Sequence, residues 1–383
     1  MSANGRLMSL DAVRGFDMFF IMGLPALVLA VSDLLGFGTS NWICLQMEHV
    51  DWEGFRLMDA VFPTFMFISG ISFPFSYARQ VEKGESRSRI CRGIVKRAAV
   101  LFLLGLVCEG ITKVDQGWNC LRLGSVLGRI GIAWACAAFL YLFSGWKTRL
   151  FAAFGLVIGY WLLLRFVPAP DALTIAIPAG HEYCLDRGPF SLVGNLSGWV
   201  DRNILPGRIS RVVMDTQGTL STLPSIALPI FGTLTGDFVR RMDVSGNRKT
   251  LLMLVAAAGL ATVGWLISFS MPLNKPLWSS SYVLVAAGYA LFLFAAFYWI
   301  VDVLKWVRWS FFFRVIGMNS ILIWMLQRMY GYRPLPELNE YLFGGIAKCL
   351  PPQGGALVLA VGYVAVCWSI LHFCYRKNII LKV

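Results

Sequence analysis

The sequence predicts an all-α, polytopic membrane protein, a helical bundle of about ten transmembrane helices with both termini cytoplasmic and one long outer loop. Three observations carry that expectation. Of the 383 residues, 57% are hydrophobic and only 14% charged, whereas soluble domains run at about 45–50% apolar and about 25% charged. Apolar runs of about 20 residues, the length that crosses a bilayer, recur along nearly the whole chain. Lys and Arg also gather in alternate connections between those runs. Too little polar sequence remains for a separate soluble domain, so residues 1–383 are expected to form one transmembrane domain.

The apolar segments are 8–32, 54–79, 92–113, 122–143, 149–166, 222–239, 249–270, 279–302, 308–331 and 354–374. In lipid only helices and closed barrels satisfy the backbone. These runs are too long and too continuously apolar for barrel strands, which alternate over about 10 residues, so helices follow. With the N-terminus inside, 21 of the 34 basic residues fall on the cytoplasmic side, including Arg79, Lys83, Arg87, Arg89, Arg92, Lys96 and Arg97. That asymmetry is the positive-inside bias. It accounts for the net charge of +13 without a nucleic-acid partner. The first segment carries Asp11, Arg14 and Asp17 at its start and no small-residue cleavage site, so it reads as a retained helix rather than a signal peptide.

The connection 167–221 is placed outside. It is rich in Pro, Gly and Asn, carries Tyr183, Phe190 and Trp199, and is long enough to suggest a functional loop that caps the outer face. Cys44, Cys120, Cys184 and Cys349 also fall in outer loops. On an oxidising face they allow two disulfides in three connectivities, and at least one bridge is expected. No C-x-x-C, H-E-x-x-H or P-loop pattern occurs, and the stretch from His181 to Leu185 lacks the second His of a zinc site, so no metal is expected.

Ionisable residues inside a membrane are costly and invite a functional reading. Asp59 lies over a turn inside the second segment, just after the polar cluster Glu48, His49, Asp51, Trp52 and Glu53. One reading makes His49 a base and Asp59 the group that orients it. The other is an interfacial loop with Trp52 as a belt residue. His181 reads as a loop residue or a sugar contact, and His372 as an interfacial one. Asp11, Arg14 and Asp17 share a helix face and can pair. Glu109, near the outer end of the third segment, stays ambiguous. Asp215 to Thr222, Asn274 to Ser281 and Gly317 to Ile321 bring hydroxyls, amides and glycines to helix starts, which suits capping as well as ligand binding.

The ordered motifs resemble those of the heparan-alpha-glucosaminide N-acetyltransferase family and its bacterial homologues. They begin with Arg6-Leu7-Met8-Ser9-Leu10-Asp11-Ala12-Val13-Arg14-Gly15 and the His49…Trp52-Glu53-Gly54 loop, followed by Asp59-Ala60-Val61-Phe62-Pro63. Leu127-Gly128-Arg129-Ile130, Trp199-Val200-Asp201-Arg202 and Leu220-Ser221-Thr222-Leu223-Pro224 come next. The last are Asn274-Lys275-Pro276-Leu277-Trp278 and Gly317-Met318-Asn319-Ser320, so that the set covers about residues 6–325. The resemblance implies transfer of acetyl from cytosolic acetyl-CoA, as co-substrate, to the amine of a glucosamine-type sugar on the outer face. It implies His49 and Asp59 as catalytic residues. Asp11 and Arg14 match the opening motif and are expected on the acetyl-CoA side. Arg79, Arg240 and Arg241 (with Arg89 and Arg92) are expected at its phosphates, and Asn319 at its thioester. Asp215, Ser221, Thr222, Trp278 and Trp52 are the acceptor candidates. Two departures stand out: Pro25 replaces an Asn frequent in the family, and Asp215-Thr216-Gln217-Gly218 replaces Asp-Pro-Glu-Gly. A bacterial inner membrane with a periplasmic acceptor side fits, and the resemblance is compatible with a homodimer. An amino-sugar secondary transporter and an O-acyltransferase of an envelope glycan are the rival readings.

Overall fold

The structure is a computed structural model that describes residues 7–109, 121–178, 186–328 and 334–381. Helix dominates the described residues, and the one β-type contact is an isolated bridge between Arg122 and Gly207. The chain forms α1 (Met8–Met22), α2 (Leu24–Leu34), α3 (Trp42–Leu45), α4 (Leu57–Glu82), α5 (Arg87–Glu109), α6 (Val126–Phe143), α7 (Trp146–Phe166) and α8 (Leu196–Ile204). It continues with α9 (Thr222–Ser225), α10 (Ala227–Arg240), α11 (Gly246–Ser268), α12 (Ser280–Phe297), a π-helical turn (Tyr298–Val303), α13 (Phe311–Met318), α14 (Ser320–Arg328), α15 (Pro334–Lys348) and α16 (Pro352–Arg376).

A helix stands at each of the ten expected segments, but they are not equivalent. Among the described residues, seven stretches are long and apolar enough to cross a membrane: α4, α6, α7, α9 with α10, α11, α12 with its π turn, and α16. The α1–α2 pair makes an eighth, bent by 60°. The bend falls at Gly23, whose φ of 150° ends α1. Pro25 then sits in the first turn of α2, where a missing N–H costs nothing. Helix α5 is long, yet Arg87, Arg89, Arg92, Lys96 and Arg97 crowd its first half. The expected 308–331 helix breaks at Asn319 into two short pieces, and α15 is a helix that hydropathy did not announce.

Contacts divide the chain into two compact units. The first gathers Met1–His49, Arg56–Val61 and Ala296–Lys382. Its centre is α1 against α13, where a Cβ on Gly15 would stand 1.7 Å from the Phe313 carbonyl oxygen and one on Gly317 1.9 Å from that of Asp11. Only glycine lets these backbones approach so closely. Phe16, Phe297, Trp309 and Phe313 pack edge to face or tilted around that crossing. His372 stacks on Trp368 with ring centroids 4.7 Å apart, which gives it a packing role.

The second unit is formed by Val50–Phe55 and Phe62–Ala295. Helix α5 pairs with α6, and α10 packs on α6 and α7. Gly70 of α4 and Gly232 of α10 permit a second close crossing, against the carbonyls of Pro229 and Phe67. The long loop is folded. Asn195 caps α8 by accepting from Gly198 N–H at 2.6 Å, and Arg202 grips both carboxylate oxygens of Asp171 at 2.7 and 2.8 Å. Leu192, Val193, Leu196, Val213 and Met214 form a buried core with Tyr160 and Leu164 of α7 and with Met271 and Leu277. The loop thus packs on α7 through apolar burial. Cys44 and Cys349 carry free thiols, which leaves Cys120 and Cys184 as the pair open to the expected bridge. Cys120, Cys184 and His181 lie outside the described residues.

Candidate active site

In the first unit, the start of α4 builds the pair that the sequence singled out. Asp59 is the third residue of the helix and Arg56 precedes it. Asp59 Oδ2 accepts the Arg56 backbone N–H at 3.2 Å, half of a capping box, and its charge suits the positive helix terminus. The other oxygen, Oδ1, lies 2.8 Å from His49 Nδ1. The Asp59 side chain is 0% exposed and that of His49 52% exposed. The segment that delivers His49 is tied down: Met58 N–H donates to the Gln46 carbonyl at 3.1 Å and Leu57 N–H to Gln46 Oε1 at 3.2 Å. Arg56 reaches Glu48 and the His49 carbonyl at 3.4 Å each. A carboxylate accepts, so Nδ1 carries the proton in this pair and Nε2 of the neutral ring holds the lone pair. A buried carboxylate behind a half-exposed imidazole can stabilise the cation that forms when Nε2 takes a proton.

The other expected residues separate into groups. Arg14 stands 3.6 Å from Asp11 on α1, and Asp11 is buried in the helix crossing, so the two pair with each other as their spacing allowed. Asn319 donates to the Ile379 carbonyl at 2.9 Å and accepts from Leu381 N–H at 3.0 Å. Its amide thus holds the C-terminal segment. In the second unit, the Arg240 guanidinium lies 6.0 Å from the Phe75 ring, one turn before Arg79 on α4. Arg79 and Arg240 therefore share one end of the α4–α10 pair. Arg241 there is exposed and paired with Asp243 at 2.5 Å.

The acceptor candidates are mostly buried and bonded within the protein. Arg122 grips Asp215 at 2.9 and 2.7 Å, Glu109 at 2.9 Å, and the side chain of Gln217. Burial pushes the Arg122 guanidinium down, but the hydrogen bond and charge of Asp215, with Glu109, outweigh it and leave the group more firmly protonated. Asp215 also accepts from Ser210 and Gln217 N–H at 3.0 and 2.8 Å, which fills its lone pairs. Ser221 accepts from Arg129 at 2.5 Å, and the Thr222 hydroxyl donates to the Gly218 carbonyl at 2.7 Å. Trp278 is 1% exposed, with the Arg129 guanidinium 4.7 Å from its ring and Phe62 edge-on at 5.1 Å. Its φ of 53° is a strained conformation for a bulky residue, costing about 1–3 kcal/mol. The ring is thus packed into the core. Trp52 lines an open cavity, with Glu53 beside it.

Sequence reasoning placed Arg129 and Asp201 in motifs without assigning them work. Asp201 is buried and accepts from the N–H groups of Asp215 and Thr219, at 3.1 and 2.9 Å, and from the Thr219 hydroxyl at 3.0 Å. Burial raises its carboxyl to about 6 although those donors pull the other way. Arg122 was missed altogether, because an arginine beside an apolar run looks like any boundary residue.

Fold and site together define a class: a multi-pass membrane protein that presents a histidine backed by a buried carboxylate. Residues 6–189 match the family model described as heparan-alpha-glucosaminide N-acetyltransferase, catalytic. The human protein named heparan-alpha-glucosaminide N-acetyltransferase is 27% identical over 429 aligned residues, covering 99% of this chain and 60% of that protein. The mouse protein of the same name is 28% identical over 375, covering 85% and 53%. The chain therefore spans little more than half the length of these relatives.

Proposed function

We propose that this chain is an acetyl-CoA-dependent transmembrane N-acetyltransferase whose acceptor is the amine of a glucosamine-type sugar. The observation that carries the reading is the 2.8 Å contact between His49 Nδ1 and buried Asp59, inside the segment that matches the family's catalytic region. The sugar's ammonium first gives one proton to water; the neutral amine nitrogen then attacks the thioester carbonyl carbon while His49 Nε2 takes a second. Asp59, a positioning residue, steadies the imidazolium. The carbon–sulfur bond then breaks and the leaving sulfur takes that proton, giving the amide and CoA thiol. A two-step route also balances: Nε2 attacks the thioester carbonyl, the carbon–sulfur bond breaks and the sulfur leaves as CoA thiol with the proton given up by Nδ1, and the amine then displaces the imidazole and returns a proton to the ring. The basic end of the α4–α10 pair, with Arg79, Arg240 and Arg241, suits the CoA phosphates. In this reading that end faces the cytosol, both termini lie there, and the acceptor arrives from the periplasmic side of a bacterial inner membrane.

Purified protein given acetyl-CoA and glucosamine should release CoA thiol in step with a sugar product one acetyl group heavier. Initial-rate lines that run parallel would mark the two-step route, and intersecting lines the direct one. Uptake of glucosamine into protein-loaded vesicles, without acetyl-CoA and without thiol release, would refute the transferase reading.

A further inference from the structure

A cavity of about 650 Å³ opens in the second unit between the Trp52–Glu53 segment, the end of α7, the Asp186–Ser191 turn and the residues after α11. Its volume lies within the range of small-molecule sites, about 300–1,000 Å³. We infer that this cavity, walled by Trp52, Glu53, Arg165, Asp186, Phe190 and Pro272, is the docking pocket for the amino-sugar acceptor, with its two carboxylates receiving the ammonium group. The inference rests on the acetyltransferase reading for the acceptor's identity and on the cavity's chemistry for its place.

Three features support it. The walls are fixed before any ligand arrives. Gly54 N–H donates to the Leu273 carbonyl at 2.8 Å, which holds the Trp52–Glu53 segment against residues 272–273. In the facing turn, Asp186 accepts from Gly188 N–H at 3.0 Å and Ser191 Oγ from Gly194 N–H at 2.9 Å, while Arg187 donates to the Ala172 and Ile175 carbonyls at 2.6 and 3.1 Å. Trp52 and Phe190 both pack on the loop's apolar core, so two rigid aromatic surfaces meet the cavity at low entropic cost.

The charge is of the right sign. Two carboxylates against one guanidinium leave the lining acidic, in a chain whose formal charge is +13. Carboxylates and an indole face attract an ammonium, and Arg165 offers donors for ring hydroxyls. Acetylation also erases the feature recognised: the amide carries no charge, so the product loses its hold on Glu53 and Asp186. A pocket that binds the amine better than the amide favours release. Finally, Trp52 and Glu53 follow His49 by three and four residues in the chain.

The test uses the full-length protein with Glu53→Gln/Asp186→Asn and, separately, Trp52→Ala and Trp52→Phe. Losing charge-assisted contacts should raise KM for glucosamine about ten- to a hundredfold, with kcat and KM for acetyl-CoA unchanged. Saturation-transfer NMR without acetyl-CoA should show glucosamine bound more strongly than N-acetylglucosamine or glucose, with the preference lost in the double variant. Trp52→Phe should keep most of the affinity that Trp52→Ala loses. An active double variant with an unaltered glucosamine KM would overturn the pocket and leave the transferase reading standing. Glucosamine bound through Glu53 and Asp186 in a wild-type protein that transfers no acetyl group would support the pocket and sink the transferase reading.

Discussion

Removing the imidazole in His49→Ala tests the chemistry most directly, and Asp59→Asn shows why the geometry around it matters. General-base help is worth about 10²–10⁴ in rate, or about 3–5 kcal/mol of barrier at 1.36 kcal/mol per decade, so kcat/KM in His49→Ala should fall by that factor. In Asp59→Asn both orientations of the carboxamide fail. With its oxygen toward His49 Nδ1, the NH₂ group faces the Arg56 backbone N–H that Oδ2 now accepts at 3.2 Å. Two buried donors then oppose each other, at about 1–3 kcal/mol. With the amide reversed, NH₂ faces Nδ1, the ring must carry its proton on Nε2, and the base is lost. A drop of about 10²–10⁴ is expected here too, as when the carboxylate behind a catalytic histidine is neutralised elsewhere. Because both residues act as one unit, the double variant should be little worse than His49→Ala. Thiol release from acetyl-CoA with glucosamine gives the rates, and thermal melting in detergent shows that the variants fold. Wild-type kcat/KM in His49→Ala would refute the reasoning.

Arg122→Met leaves Glu109 and Asp215 without their shared cation and should cost about 3–5 kcal/mol, read as a fall in melting temperature. Asp201 ionises at 3.8 when unfolded but holds its proton to about 6 in the fold. Its contribution to stability is therefore full below pH 4 and lost as pH rises through 6, by about 3 kcal/mol; melting temperatures of Asp201→Asn should lack this decline. Asn319→Ala frees the Ile379 carbonyl and the Leu381 N–H, so the C-terminal segment should exchange amide hydrogens faster and be cut earlier by protease, with acetyl transfer retained. Replacing Arg79, Arg240 and Arg241 by alanine together should raise KM for acetyl-CoA and weaken its dependence on ionic strength, leaving KM for glucosamine as it was.

The membrane class and the places of the helices were legible because hydropathy is a local property that the chain cannot hide in lipid. His49 and Asp59 were legible for a related reason: polar residues ten apart in an apolar setting have few reasons to be there. The Asp11–Arg14 pair follows from helical spacing alone. Other features depended on what lies across the fold. Trp278 had the composition of a sugar platform, yet Arg129 and Phe62 enclose it. The amide of Asn319 meets the backbone 60 and 62 positions later, which its local sequence does not reveal.

The sequence by itself therefore determined the solvent the protein lives in, the run of its helices and the short-range pairing of His49 with Asp59. Tertiary structure decided which charges are neutralised: Arg122 with Asp215, 93 positions apart, and Arg149 with Asp237, 88 apart. It also decided that Asp215, Ser221 and Thr222 are tied into hydrogen bonds within the protein and that Trp52 opens on a cavity. Local spacing sets which side chains share a helix face. Only the packing of distant helices, with glycines letting backbones touch, sets which charges lose water together and must find one another.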